Sequence, residues 1–81
     1  MAQPTIEETK LFLKSVGAKI KAIRQEKKIS QRELAELCDL NHNTIFRIEA
    51  GKRDTDICTI YNLAEKLEVH PKEFFPPINL K

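Results

Sequence analysis

Two tetrads, Thr5-Ile6-Glu7-Glu8 and Ser30-Gln31-Arg32-Glu33, constrain this chain most. Each reads as a capping box, in which a hydroxyl and a Glu side chain satisfy free amides at a helix start. Behind the first, Leu13, Val16, Ile20 and Ile23 recur at helical spacing, and this helix should end near Lys27 or Lys28, where cations suit the negative dipole end. Gly17 inside it costs about 1 kcal/mol relative to Ala, a cost that close approach of another helix would offset. The second box opens a helix through Cys38, with Leu34, Ala35 and Cys38 facing inward. Asp39-Leu40-Asn41 breaks it. Asn41 can cap a third helix over residues 42–50, and Gly51 suits the left-handed residue that follows a helix end. Asp56 can cap a fourth, on which Ile57, Ile60, Leu63, Ala64 and Leu67 form an apolar stripe. His70-Pro71 starts a last short helix and Pro76-Pro77 ends it. No segment alternates apolar and polar residues between turn signals, so strands are not expected. The expectation is an all-α chain of five helices.

At 81 residues the chain makes one domain, which buries about 60% of the surface its unfolded form exposes. That supports a modest core and leaves little room for an enclosed catalytic cavity. No apolar run approaches the ~20 residues that cross a bilayer. The N-terminus lacks a basic segment followed by an apolar one, so a secretory signal is not expected and the cytoplasm is the default location. The net charge is +2, unevenly spread: residues 1–28 carry +4, residues 29–50 carry −2, and residues 51–81 balance. The excess lies in Lys10, Lys14, Lys19, Lys21, Arg24, Lys27 and Lys28, a pattern that on charge alone reads first as a solvated helix face. Cys38, His42, Cys58 and His70 contain no close Cys or His pair, so no metal is expected, and both cysteines are read as small buried hydrophobes. No Ser/His/Asp or Cys/His constellation and no Gly-rich phosphate loop supports an enzyme. No cofactor and no small-molecule ligand are expected.

The segment Gln31–Gly51 is a helix, a three-residue break and a second helix, with Leu34, Ala35, Leu40, Ile45 and Ile48 at fixed offsets. In a helix-turn-helix, Ala35 is small because the second helix crosses over it, Leu40 fills the corner, and Ile45 and Ile48 hold the recognition helix to the body. Spacing alone also fits a generic packed helix pair.

The wording goes further. "Ser-Gln-x-Glu-Leu-Ala" from Ser30 and "Ile-x-x-Ile-Glu-x-Gly-x-Arg" from Ile45 resemble the phage repressor and Cro-like helix-turn-helix family, also called XRE-like. The resemblance runs from Val16 to Phe75. It implies a compact lambda-repressor-like DNA-binding domain over residues 13–75, with residues 1–12 as an arm or helix extension and 76–81 as a tail. The paired Phe74-Phe75 ending is similar to that of restriction–modification controller proteins; stand-alone phage-type repressors and antitoxins share the same body. Asp39 departs from the Gly of many relatives, and Phe46 is unusually bulky.

The function this implies is a sequence-specific transcriptional regulator of a palindromic double-stranded DNA operator. Its recognition helix, 42–50, would lie in the major groove. With Ile45 and Ile48 facing inward, His42, Asn43, Phe46 and Arg47 face outward as candidate base contacts. Arg47 can bond guanine in bidentate fashion, Asn43 can bond adenine likewise, and Phe46 can meet a thymine methyl. Gln31 sits at a helix N-terminus, where the resemblance also places a phosphate contact. Asn41, Thr44, Lys52 and Arg53 are further phosphate candidates. The resemblance implies an ion pair between Arg24 and Glu49. It also implies a homodimer paired through the apolar C-terminal region, for which Tyr61, Phe75, Ile78 and Leu80 are the candidates. A different class stays open: a protein-binding helix-turn-helix module, such as an antitoxin or bridging cofactor, needs the same fold motif.

Overall fold

The computed structural model describes residues 2–77. Four α-helices, α1 (Ile6–Glu26), α2 (Gln31–Cys38), α3 (His42–Glu49) and α4 (Ile57–Leu67), precede one 3-10 turn at Pro71–Phe74. No strand occurs among the described residues. The element expected as a fifth helix is therefore that single turn. Pro71 opens it, and Phe75, held extended (φ −103°, ψ 130°) before Pro76, closes it after four residues.

Every helix start uses a side chain from the residue before it. Thr5 Oγ1 accepts from the Glu8 amide at 3.0 Å, and Glu8 Oε1 accepts from the Thr5 amide at 2.7 Å. Ser30 and Glu33 repeat this at 3.0 and 2.9 Å. These bonds hold the Glu8 and Glu33 carboxyls below their ordinary pKa. Asn41 Oδ1 accepts from the Asn43 amide at 2.8 Å, and Asp56 Oδ1 from the Thr59 amide at 2.7 Å.

The helix ends also share one device. Lys28, Asp39, Gly51 and Glu68 are left-handed, with φ between 56° and 72°. The amide after each donates back five residues: Ile29 to Arg24, Leu40 to Ala35, Lys52 to Arg47, and Val69 to Ala64, at 2.8–3.2 Å. This is the Schellman arrangement, which satisfies carbonyls left open at a helix end. Ile29, Leu40 and Val69 then turn inward and pack against the core.

The core joins Val16 and Ile20 of α1, Leu34, Ala35 and Cys38 of α2, Ile45 and Ile48 of α3, Ile60, Leu63, Ala64 and Leu67 of α4, and Phe74. Helix α2 packs on α3 and α4, while α1 packs on α3; the 3-10 turn closes the gap between α1 and α4 with Phe74. Asn62 of α4 donates to the Cys38 carbonyl at 2.9 Å, tying α4 to the end of α2. Two expectations fail here. Ile57 is 83% exposed, because the first residue of α4 overhangs the end of the core. Cys58, next to it, is exposed as well; only Cys38 is buried, and burial pushes its thiol pKa up.

Candidate nucleic-acid interface

The α2–α3 unit fixes one face of α3 and frees the other. Ile45 and Ile48 are buried, with Ala35 buried in α2 and Leu40 partly buried at the corner. His42, Asn43, Phe46 and Arg47 are all exposed. They occupy positions i, i+1, i+4 and i+5, one side of a two-turn helix. Phe46 is 54% exposed, an apolar ring presented between two hydrogen-bonding side chains.

A buried polar cluster sets the angle of α3. Arg24 Nε donates to Glu49 Oε2 at 2.6 Å, and Arg24 Nη2 donates to Glu49 Oε1 at 2.9 Å. Arg24 Nη1 donates to the Ile29 carbonyl at 2.8 Å, so one guanidinium binds α1 to the last turn of α3 and to the α1–α2 connection. Gln31 Nε2 adds a third bond to Glu49, at 3.0 Å to Oε1. The side chain of Gln31 thus lies half-buried against Glu49 rather than extended into solvent. No buried side-chain N or O among the described residues lacks a hydrogen-bond partner. Beside this cluster α1 and α3 come close: a Cβ on Gly17 would overlap the Ile48 carbonyl oxygen and stand 2.6 Å from that of Glu49.

The remaining site candidates surround α3. Asn41 is exposed, with its Oδ1 taken by the helix cap. Thr44 is half-buried in a small polar recess with Leu40, Arg53, Asp54, Thr55, Asp56 and Thr59. Lys52 and Arg53 are exposed. Asp56 is held below its ordinary pKa, mainly by hydrogen bonds from Thr59 and, more weakly, by the Arg53 charge. Gly51, with φ +72°, rests on α1: a Cβ there would stand 2.7 Å from both Lys14 Cα and Lys14 Cγ.

An open apolar groove of about 520 Å³ lies between the N-terminal half of α1, the start of α4 and Phe75, with Arg53 and Asp54 also on its lining. Phe12, Leu13, Ile57 and Tyr61 line it, and Phe12 stacks on Phe75 with ring centroids 6.1 Å apart and planes 9° from parallel. Tyr61 is 61% exposed and Phe75 40% exposed, whereas Phe74 is fully buried. Ile78 and Leu80 lie outside the described residues. Sequence reasoning left Phe12 in the segment 1–12 read as an arm or helix extension, and set Ile57 on the apolar stripe of α4. The available signal was Phe12 directly preceding the Leu13–Val16 stripe of α1. Among the described residues no cluster of His, Cys, Asp or Glu is arranged to hold a metal, and no helix is long and apolar enough to cross a membrane.

A family model described as Helix-turn-helix matches residues 20–74. The control protein C.BamHI of Bacillus amyloliquefaciens is 38% identical over 58 residues, covering 70% of this chain and 72% of that protein. The HTH-type transcriptional regulator PuuR of Escherichia coli (strain K12) is 37% identical over 59 residues, or 73% of this chain, which spans only 32% of PuuR's length. Among solved structures, the restriction-modification controller protein C.AhdI from Aeromonas hydrophila superposes with a TM-score of 0.76 at 32% identity, covering 78% of this chain and 96% of that one. The family match begins inside α1, so Ile6–Lys19 precede it.

Proposed function

The chain belongs to the helix-turn-helix family, the DNA-binding transcription regulators of phage repressor and Cro-like kind, and from that membership we propose that it binds one palindromic operator as a homodimer with α3 in each major groove. The observation that carries this reading is the division of α3. Its inner side is fixed by Ile45, Ile48 and the Arg24–Glu49 pair, and its outer side offers His42, Asn43, Phe46 and Arg47 together. A major groove admits a helix, and those side chains match the donor, acceptor and methyl pattern of base edges. Arg47 and Asn43 read bases; Phe46 packs on a thymine methyl; His42 contacts the edge nearest the start of α3.

The backbone is held from both ends of this unit. The first turn of α2 offers its free amides and the Gln31 amide group, of which one N–H remains after the bond to Glu49. Asn41 and Thr44 flank the start of α3, and Lys52 and Arg53 follow its end. These contacts set position and affinity and carry no sequence information. A single recognition helix contacts few base pairs, so a two-fold dimer with recognition helices about 34–36 Å apart doubles the contacts. Tyr61 and Phe75, beside the apolar groove, supply its surface. The protein acts in the cytoplasm, with no ligand beyond DNA.

Electrophoretic retardation of genomic fragments at a series of salt concentrations tests this reading. Sequence-selective retardation that weakens steeply with salt is the expected result. Absence of retardation, with a tight protein partner recovered in its place, assigns the fold to the protein-binding class.

A further inference from the structure

We infer that Lys10 and Lys14, near the start of α1, bind DNA phosphates outside the footprint of α3 and extend the cationic strip begun by Lys52 and Arg53. The inference rests on the DNA-binding reading above. The turn after α3 sits directly on α1: Gly51 packs against the backbone and the Cγ of Lys14, so the Lys14 stem lies along Gly51. The Lys14 side chain therefore leaves α1 beside Gly51, the residue that Lys52 and Arg53 follow. At about 100° per residue, Lys10, Lys14 and Lys21 fall within about 60° of the Gly17–Arg24 line that faces α3. The three span roughly 16 Å along the helix.

These cations have little to neutralise them. The ion pairs among the described residues are Arg24–Glu49 and Lys66–Glu65, so Lys10, Lys14, Lys21, Lys52 and Arg53 enter none. The carboxylates nearest in the chain are Glu7 and Glu8 before Lys10, with Glu8 engaged by Thr5 in the helix cap, Glu26 after Lys21, and Asp54 and Asp56 beyond the turn. Glu49 is engaged by Arg24 and Gln31. Partly unneutralised cations of one sign, continuous with the end of a recognition helix, are complementary to a polyanion that follows the same edge. Lys10 and Lys14 lie on α1, apart from the α3 side chains proposed to read bases, so they add affinity without adding sequence preference.

The test compares wild type, the double variant Lys10→Gln/Lys14→Gln, and a control of equal charge, Lys19→Gln/Lys72→Gln, on exposed positions away from this strip. The probes are a duplex carrying the sequence selected from random DNA and a duplex of scrambled sequence. Losing two phosphate contacts flattens the slope of log affinity against log salt by about 1.8 per bound protomer. Equivalently, the affinity gap between wild type and the strip variant narrows about tenfold, per protomer, from about 50 to 200 mM salt. The flattening should appear on both probes, with the selected consensus unchanged and the control at the wild-type slope. A wild-type slope in the strip variant, or equal flattening in the control, overturns the inference while leaving the α3 reading intact. Loss of selective binding in wild type itself removes both.

Discussion

Glu49 illustrates how one residue can govern a recognition surface without touching it. Its carboxylate accepts three hydrogen bonds, two from Arg24 and one from Gln31, in a site from which water is largely excluded. Removing it would strand a guanidinium in the same site. Glu49→Ala should therefore cost about 3–5 kcal/mol of stability. Urea denaturation measures this directly, and a midpoint equal to wild type would show that the pair contributes nothing. At this scale the inward positions of Ile45 and Ile48 were legible, because a helical period fixes them relative to each other. The inward turn of Gln31 was not. Its partner lies 18 residues away, and the capacity of Glu49 for a third bond is a property of the assembled helices.

Helix starts and helix ends differ in legibility for a physical reason. Starts at Thr5, Ser30, Asn41 and Asp56 carry side chains that do the capping, so the residue type itself is the signal. Ends depend on a left-handed backbone, and only Gly51 among the four advertises it. Lys28, Asp39 and Glu68 adopt the same conformation against a steric penalty of about 1 kcal/mol or more. Glu68→Gly should thus raise stability by about 0.5–1 kcal/mol, after allowance for the greater freedom of Gly in the unfolded chain. Gly17 predicts the opposite sign. Ala is the better helix former by about 1 kcal/mol, yet its methyl would meet the Ile48 and Glu49 carbonyls. Gly17→Ala should destabilise by about 1–3 kcal/mol by forcing α3 away from α1. Thermal melts of the two variants check both signs, and a stabilised Gly17→Ala would show that the contact yields easily. The last helix expected from His70-Pro71 became a 3-10 turn because only four residues separate Pro71 from Pro76, and the last of them, Phe75, is extended before the second proline.

The whole molecule presents two unlike faces, the exposed side of α3 and the Phe12–Tyr61–Phe75 groove. The first was legible because it is built from one contiguous segment. The second was not, because it combines the start of α1, the start of α4 and the chain beyond the 3-10 turn, and because Ile57 looked like a core residue. Pairing through this groove predicts sedimentation at twice 9.4 kDa at micromolar protein, and a shift to 9.4 kDa for Phe75→Glu. A wild-type monomer under those conditions would place the function in single protomers. An interface below roughly 1,000 Å² would make the pairing concentration-dependent.

The central claim is that the outer side of α3 reads base pairs. Selection of binding sites from random double-stranded DNA, run in parallel on wild type and Arg47→Ala, tests it most directly. The account predicts an inverted-repeat consensus for wild type. For Arg47→Ala it predicts the same consensus relaxed at one base pair per half-site, with a loss of about 1–3 kcal/mol per protomer on the best wild-type sequence. No enriched sequence for wild type, or an identical consensus from both proteins, would contradict it.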